Sequence, residues 1–183
     1  MKGVTVAVVA GMLGGALAAS SGEAQGRPSL FLAAGPSFPL GDFGDYAKTG
    51  WFSYAGFNVP IGDKGLSAGG NVAYGSNKHS DVVGDKTNLM GGFGFLQYRA
   101  GNPAKPGPYF YGEVGALNHQ FKAAGSSGYG SASEWKLAVG GGAGIDIPAG
   151  PVGLFIEASI IARGDTKFVP VVAGLSIPVG KKK

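Results

Sequence analysis

Cysteine is absent from the 183 residues. That excludes a disulfide framework, a thiolate metal site and a cysteine nucleophile. Charge is scarce too: Asp, Glu, Lys and Arg make up 14% of the chain, against 36 glycines. Such a balance fits neither a typical soluble enzyme nor the highly charged profile of disordered chains. The formal net charge of +4 owes part of its value to the Lys181, Lys182, Lys183 tail, so it gives no footing for a nucleic-acid partner. Beyond the N-terminal region no apolar run reaches the roughly 18 residues of a spanning helix, which excludes a helical membrane protein. No His, Asp or Glu cluster has metal-ligand spacing, and Gly140-Gly141-Gly142 opens no helix, so it is no phosphate cradle. No cofactor is implied.

Residues 1–24 read as a secretory signal. Lys2 supplies the positive start, an apolar run of about 16 residues follows, and Gly22 and Ala24 form a small-x-small cleavage site before Gln25. The run is short for a spanning anchor. Its removal takes away one cation (Lys2) and one anion (Glu23), so the mature region, 25–183, keeps the charge of +4.

The mature region is organised around YFYGEVGAL, 109–117. Read with period two, Phe110, Gly112, Val114 and Ala116 form an uncharged row, and Tyr109, Tyr111, Glu113 and Gly115 form the other. The glycine-and-acid row is taken as the inner face and the apolar row as the outer. Eight such stretches follow one another: 29–40, 51–61, 65–75, 87–99, 109–121, 135–147, 152–163 and 168–179. Most are about 10 to 13 residues long, enough for a tilted strand to cross a bilayer. In the fourth, Leu89, Phe93 and Phe95 are assigned outward and Asn88, Gly92 and Gly94 inward, with Met90 in the lumen beside Glu113, Glu157 and Tyr111.

The connections alternate. Those around Gly62-Asp63-Lys64, at 100–107 and at 148–151 are short or rich in Pro and Gly, whereas 41–50, 76–86 and 122–134 are longer and more polar. Only 164–167 departs from this. Turns at one end and loops at the other are the mark of an up-and-down barrel in a membrane. Aromatics near the strand ends, Trp51, Phe52, Tyr74, Trp135 and Phe168 at one end and Tyr98 and Tyr109 at the other, read as interfacial girdles. An open sheet edge cannot face lipid, because each unpaired backbone group there costs several kcal/mol. The expected fold is therefore all-β, a closed eight-stranded antiparallel transmembrane barrel whose interior is just filled by side chains.

These stretches, notably PYFYGEVGA (108–116), VGGGAGIDI (139–147), LFIEASIIAR (154–163) and FVPVVAGLSI (168–177), resemble the OmpA/OmpX-like outer-membrane barrels of Gram-negative bacteria, the porin-like β-barrel family. The resemblance implies secretion to the periplasm, residence in the outer membrane among lipid and lipopolysaccharide, and handling by the barrel-assembly machinery. One departure concerns the end: family members commonly finish on an aromatic residue, and this chain finishes Pro178-Val179-Gly180-Lys181-Lys182-Lys183.

Glu113 and Glu157, either side of the sixth strand's glycine row, are the candidates for chemistry. Paired carboxylates can do acid/base work. In a narrow barrel they more simply lock the interior by pairing with cations, and Asp146, Lys136, Arg163 and His119 share the inward phase. No catalytic set is assigned. The reading is a structural or surface-interaction protein acting through its long loops. The alternatives are a narrow pore, a lipid A-modifying enzyme built on His79-Ser80 or His119, and a soluble ligand-binding barrel with the faces inverted.

Overall fold

The computed structural model describes residues 27–80, 85–102, 105–123, 132–149 and 151–179. The predicted leader (1–24), the glycine-serine stretch 125–131 and the lysine tail lie outside the described residues. Eight strands, β1 (Ser29–Leu40), β2 (Gly50–Ile61), β3 (Leu66–Lys78), β4 (Lys86–Arg99), β5 (Gly107–Lys122), β6 (Ser133–Ala149), β7 (Val152–Arg163) and β8 (Thr166–Pro178), pair antiparallel in chain order. β1 closes the ring: Leu32 lies opposite Ala55 of β2 on one side and Leu175 of β8 on the other. The bounds match those read from the sequence to within a few residues, with β3, β5 and β6 somewhat longer. A single turn of helix, α1 (Asp42–Tyr46), occupies the first long connection.

The start of β1, the end of β8 and the strand ends that the short connections join share one rim, and the strand ends that the long connections join share the other. On the long-connection rim the β7–β8 link is a two-residue hairpin between paired Arg163 and Thr166, with Gly164 at φ 54°, the first-position conformation of a II′ turn. The outer wall is apolar. Val114, Leu137 and Ile156 are 54%, 71% and 58% exposed.

β4 departs from expectation. Leu89 and Phe93 are buried at 0% and 3% exposure, and Met90 stands on the outer wall at 48%. Gly92 and Gly94 follow Met90 outward. Both faces of β4 are apolar, so its own sequence does not decide its phase; its neighbours do. Phe95 lies directly opposite Gly69, and Phe93 opposite Gly115. A Cβ built on Gly69 would overlap the Phe95 ring.

The same device recurs round the barrel. Phe52 faces Gly75, Tyr109 faces Gly144, and Phe155 faces Gly174. In each case a Cβ on the glycine would run into the ring. The inward glycines therefore make room for aromatic rings and not for Met90. This also corrects three girdle assignments: Phe52, Tyr109 and Phe168 are buried inside, at 2%, 4% and 0% exposure. Their position near a strand end suited a girdle, but their parity turns them to the lumen.

Core substitutions that force extra volume against a ring cost about 1–3 kcal/mol. Gly69→Ala is accordingly expected to lower the temperature at which the folded band converts to the unfolded band in heat-modifiable gel mobility. Gly112→Ala, on the outer wall with nothing within 4 Å of its Cβ, is the matched control. Its expected change is below about 0.5 kcal/mol. Equal loss in both variants would refute the pairing of glycine with ring.

Candidate functional site

The lumen has two storeys. On the side of the short connections is a cavity of about 180 Å³. Glu157, 8% exposed, is its centre. Three tyrosine hydroxyls donate to that carboxylate: Tyr54 to Oε1 at 2.8 Å, Tyr111 to Oε1 at 2.7 Å and Tyr109 to Oε2 at 2.8 Å. Period two puts all three hydroxyls inside, Tyr54 from β2 and the others from β5. Glu113, opposite Gly140, accepts from Asn71 Nδ2 at 3.4 Å. At the rim Arg99 Nε donates to Asp146 Oδ2 at 2.9 Å. Asn58 and Asn71 each leave a buried amide oxygen without a hydrogen-bond partner among the described residues. The wall is thus rich in acceptors.

The second storey is apolar. Phe43 of α1, Phe52, Leu89, Phe93, Leu117 and Phe168 form one buried cluster on the side of the long connections. Phe52, Phe93 and Ile161 belong to it and also line the cavity, so the cluster is the cavity's ceiling. At its outer side the Phe43 ring meets Tyr46 at 5.6 Å and His119 at 6.0 Å, and His79 meets Tyr46 edge-on and Phe121 at a tilt, both at 5.2 Å. Burial, together with the charge of Asp42, pushes the Tyr46 phenol above its ordinary pKa, so it stays protonated. Backbone bonds tie this cap down: Lys48 N–H donates to Lys78 O at 2.7 Å and Ser80 N–H to Tyr46 O at 2.8 Å.

The six inward polar residues therefore do not form one network. Glu113, Glu157 and Asp146 line the cavity. Arg163 and Lys136 instead meet Glu134 at the opposite end, at 3.3 and 3.1 Å. His119 sits under Phe43, its Nε2 buried and without a hydrogen-bond partner among the described residues. The expected pairing of the glutamates with cations is replaced by tyrosine and amide donors, because the apolar ceiling separates the two ends. Tyr54 and Glu134 were missed by sequence reasoning. The parity of Tyr54 with Gly56 and Asn58 was the available signal. Of the girdle candidates, Trp51, Tyr74, Tyr98 and Trp135 stand on the outer wall, 48%, 39%, 51% and 51% exposed. His79 Nε2 lies 2.9 Å from Thr87 Oγ1, a hydroxyl buried at 0% exposure and turned away from lipid. Among the described residues no group of His, Asp and Glu is placed to hold a metal ion.

A closed eight-stranded up-and-down barrel, apolar outside and filled within, is the architecture of the small OmpA/OmpX-like outer-membrane barrels. Comparison with solved structures gives the same fold. Neisserial surface protein A is similar with a TM-score of 0.67 at 14% identity, over 83% of this chain and 97% of that one. Ail, the attachment invasion locus protein of Yersinia pestis, has a TM-score of 0.57 at 16% identity, over 84% and 99%. OprG of Pseudomonas aeruginosa has a TM-score of 0.51 at 11% identity, over 86% and 100%. No family model matches the sequence, and no curated protein matches it in sequence.

Glu157→Ala leaves three buried hydroxyls without their acceptor, each unsatisfied group costing about 1–3 kcal/mol. A loss of about 3–5 kcal/mol is expected in urea titration of the folded barrel. Glu157→Gln, which keeps a carbonyl acceptor, should lose about 1 kcal/mol. If the alanine variant unfolds with the glutamine one, the tyrosine cluster does not depend on residue 157.

Proposed function

We propose that the chain is an integral protein of the Gram-negative outer membrane that acts by surface interaction at its long-connection end. In this reading residues 1–24 are the secretory leader, both ends of the mature barrel face the periplasm, and the assembly machinery and outer-membrane lipid, lipopolysaccharide included, are its partners. Trp51, Tyr74, Trp135 and Tyr98 are the girdle residues.

The observation that carries the reading is the pairing of an apolar outer wall with a lumen closed by the Phe43–Phe52–Phe93–Phe168 cluster. A wall of half-exposed Val, Leu and Ile suits acyl chains, not water, which disfavours the soluble barrel. The buried cluster packs the lumen beyond the cavity, which disfavours the pore. For a lipid-modifying enzyme, the catalytic groups should meet lipid at the outer leaflet. His79 instead meets a buried hydroxyl, and His119 lies inside under Phe43.

The absence of native cysteine makes single-cysteine spin labels direct. Labels at Val114, Ile156 and Val171 are expected to report an acyl-chain environment in reconstituted vesicles, and planar bilayers containing the protein are expected to show no steady conductance. Water at those three labels would overturn membrane residence. A stable conductance would overturn the closed lumen.

A further inference from the structure

The outer wall carries one anomaly. Near the long-connection rim, three lysines lie side by side on adjacent strands: Lys78 of β3 is opposite Lys86 of β4, and Lys86 is opposite Lys122 of β5. All three share the parity of the exposed wall residues Tyr74, Met90 and Val114, and all three are exposed. Like charges directly opposite in an antiparallel ladder destabilise it. Neighbouring strands are only about 4.8 Å apart, so the three lysines spring from one compact row of backbone positions.

The row beneath is also unusual for a lipid-facing wall. Ser76, Asn88, Gln120 and Ser133 are consecutive partners across β3 to β6. Ser76 Oγ donates to Asn88 Oδ1 at 2.9 Å, and Asn118 Nδ2 to Ser133 Oγ at 2.9 Å. Asn88, Asn118, Gln120 and Ser133, with Tyr74, Met90 and Trp135, border an outward groove of about 170 Å³. Below, the wall turns apolar at Val72, Ala116 and Leu137. Reading downward gives cations, then amides and hydroxyls, then aromatics, then aliphatics. That order mirrors an amphiphile with a phosphorylated, hydroxyl-rich head and acyl tails. Glu134 lies on the opposite parity from Trp135 and is paired with Lys136 and Arg163.

We propose that this face of β3 to β6 is a binding site for a phosphorylated glycolipid of the outer leaflet. Lys78, Lys86 and Lys122 take the phosphates, the amide groove takes the sugar hydroxyls, and Trp135 stacks at the head–tail boundary. The proposal rests on membrane residence as read above and names one lipid class and its seat on the wall.

The test uses the full chain refolded into phosphatidylcholine vesicles and titrated with bis-phosphorylated lipid A, dephosphorylated lipid A or inorganic phosphate. Tryptophan emission and heat-modifiable mobility are the readouts. Lipid A is expected to bind and to raise the conversion temperature, and the other two are not. The triple variant Lys78→Gln, Lys86→Gln, Lys122→Gln should weaken lipid A binding about 100-fold, at the usual contribution of a cation near an anionic surface. Without lipid A the same variant should convert at an equal or higher temperature than the parent, since the repulsion is gone. Lys64→Gln, Lys105→Gln, Lys167→Gln together remove the same charge away from the row and should leave binding within a few-fold of the parent. Equal binding by both triple variants, or by dephosphorylated lipid A, overturns the site while leaving membrane residence intact. Competition by inorganic phosphate at equal concentration reduces the row to a general anion patch and overturns it too. A parent chain that never enters the vesicles overturns the membrane reading together with the proposal.

Discussion

Closure of the sheet governs everything else in this molecule. Within hydrocarbon a free strand edge leaves a column of donors and acceptors that water cannot reach, each costing several kcal/mol. β1 must therefore find β8, and the seam from Ser29 opposite Pro178 to Leu40 opposite Lys167 supplies that pairing. Once the ring is closed, register is no longer negotiable. A slip of one residue would turn every side chain of a strand to the other face. The alternation along each strand thereby becomes a fixed assignment of lipid side and lumen side.

Eight strands enclose a space that side chains must fill and barely can. The chain solves this with complementary pairs, a glycine on one strand facing a ring on the next, at Gly69–Phe95, Gly75–Phe52, Gly144–Tyr109 and Gly174–Phe155. Large and small alternate around the ring, so density stays high without collision. Polarity inside is handled in the same economical way. A buried carboxylate needs donors, and tyrosine supplies one at the end of a rigid apolar body. Three such hydroxyls reach Glu157 from β2 and β5. They also tie opposite walls of the barrel together, something a single cation on a flexible stem does less well.

Much of this could be read from the sequence, because period two is a local property. β5 shows it plainly: Phe110, Gly112, Val114 and Ala116 are exposed, and Tyr109 and Glu113 are buried. Loop-length alternation likewise located the two rims. β4 resisted because Leu89, Phe93 and Phe95 are as greasy as Met90, Leu96 and Tyr98. Its phase is settled by glycines on β3 and β5, which no window along β4 contains. Phe52, Tyr109 and Phe168 were misread for a related reason. Nearness to a strand end is visible in a list of residues, whereas facing inward matters only once the barrel is closed around them. The single turn of α1 carries too few residues to display a helical period, so Phe43's place in the lumen had no signature. The lysine row is of the same kind: Lys78, Lys86 and Lys122 are far apart in sequence and meet only through register.

The two storeys of the lumen also bear on what the barrel can do. The apolar ceiling draws side chains from β2, β4, β5, β7 and β8 as well as from α1. Lifting α1 would remove Phe43 and leave Phe52, Phe93 and Phe168 in place, each held by the wall itself. Exposing a buried ring of that size to water costs about 1.5–3 kcal/mol. A path wide enough for a hydrated ion has to move several of them at once, and the strands that carry them have no free edge along which to yield. The parts left free to vary are those above the ceiling and outside the wall. There the cap of Phe43, Tyr46, His79 and Phe121 gives the long connections a firm floor, and the lysine row stands on the outer wall at the same rim. Rigidity inside and chemistry outside are thus two consequences of one packing problem.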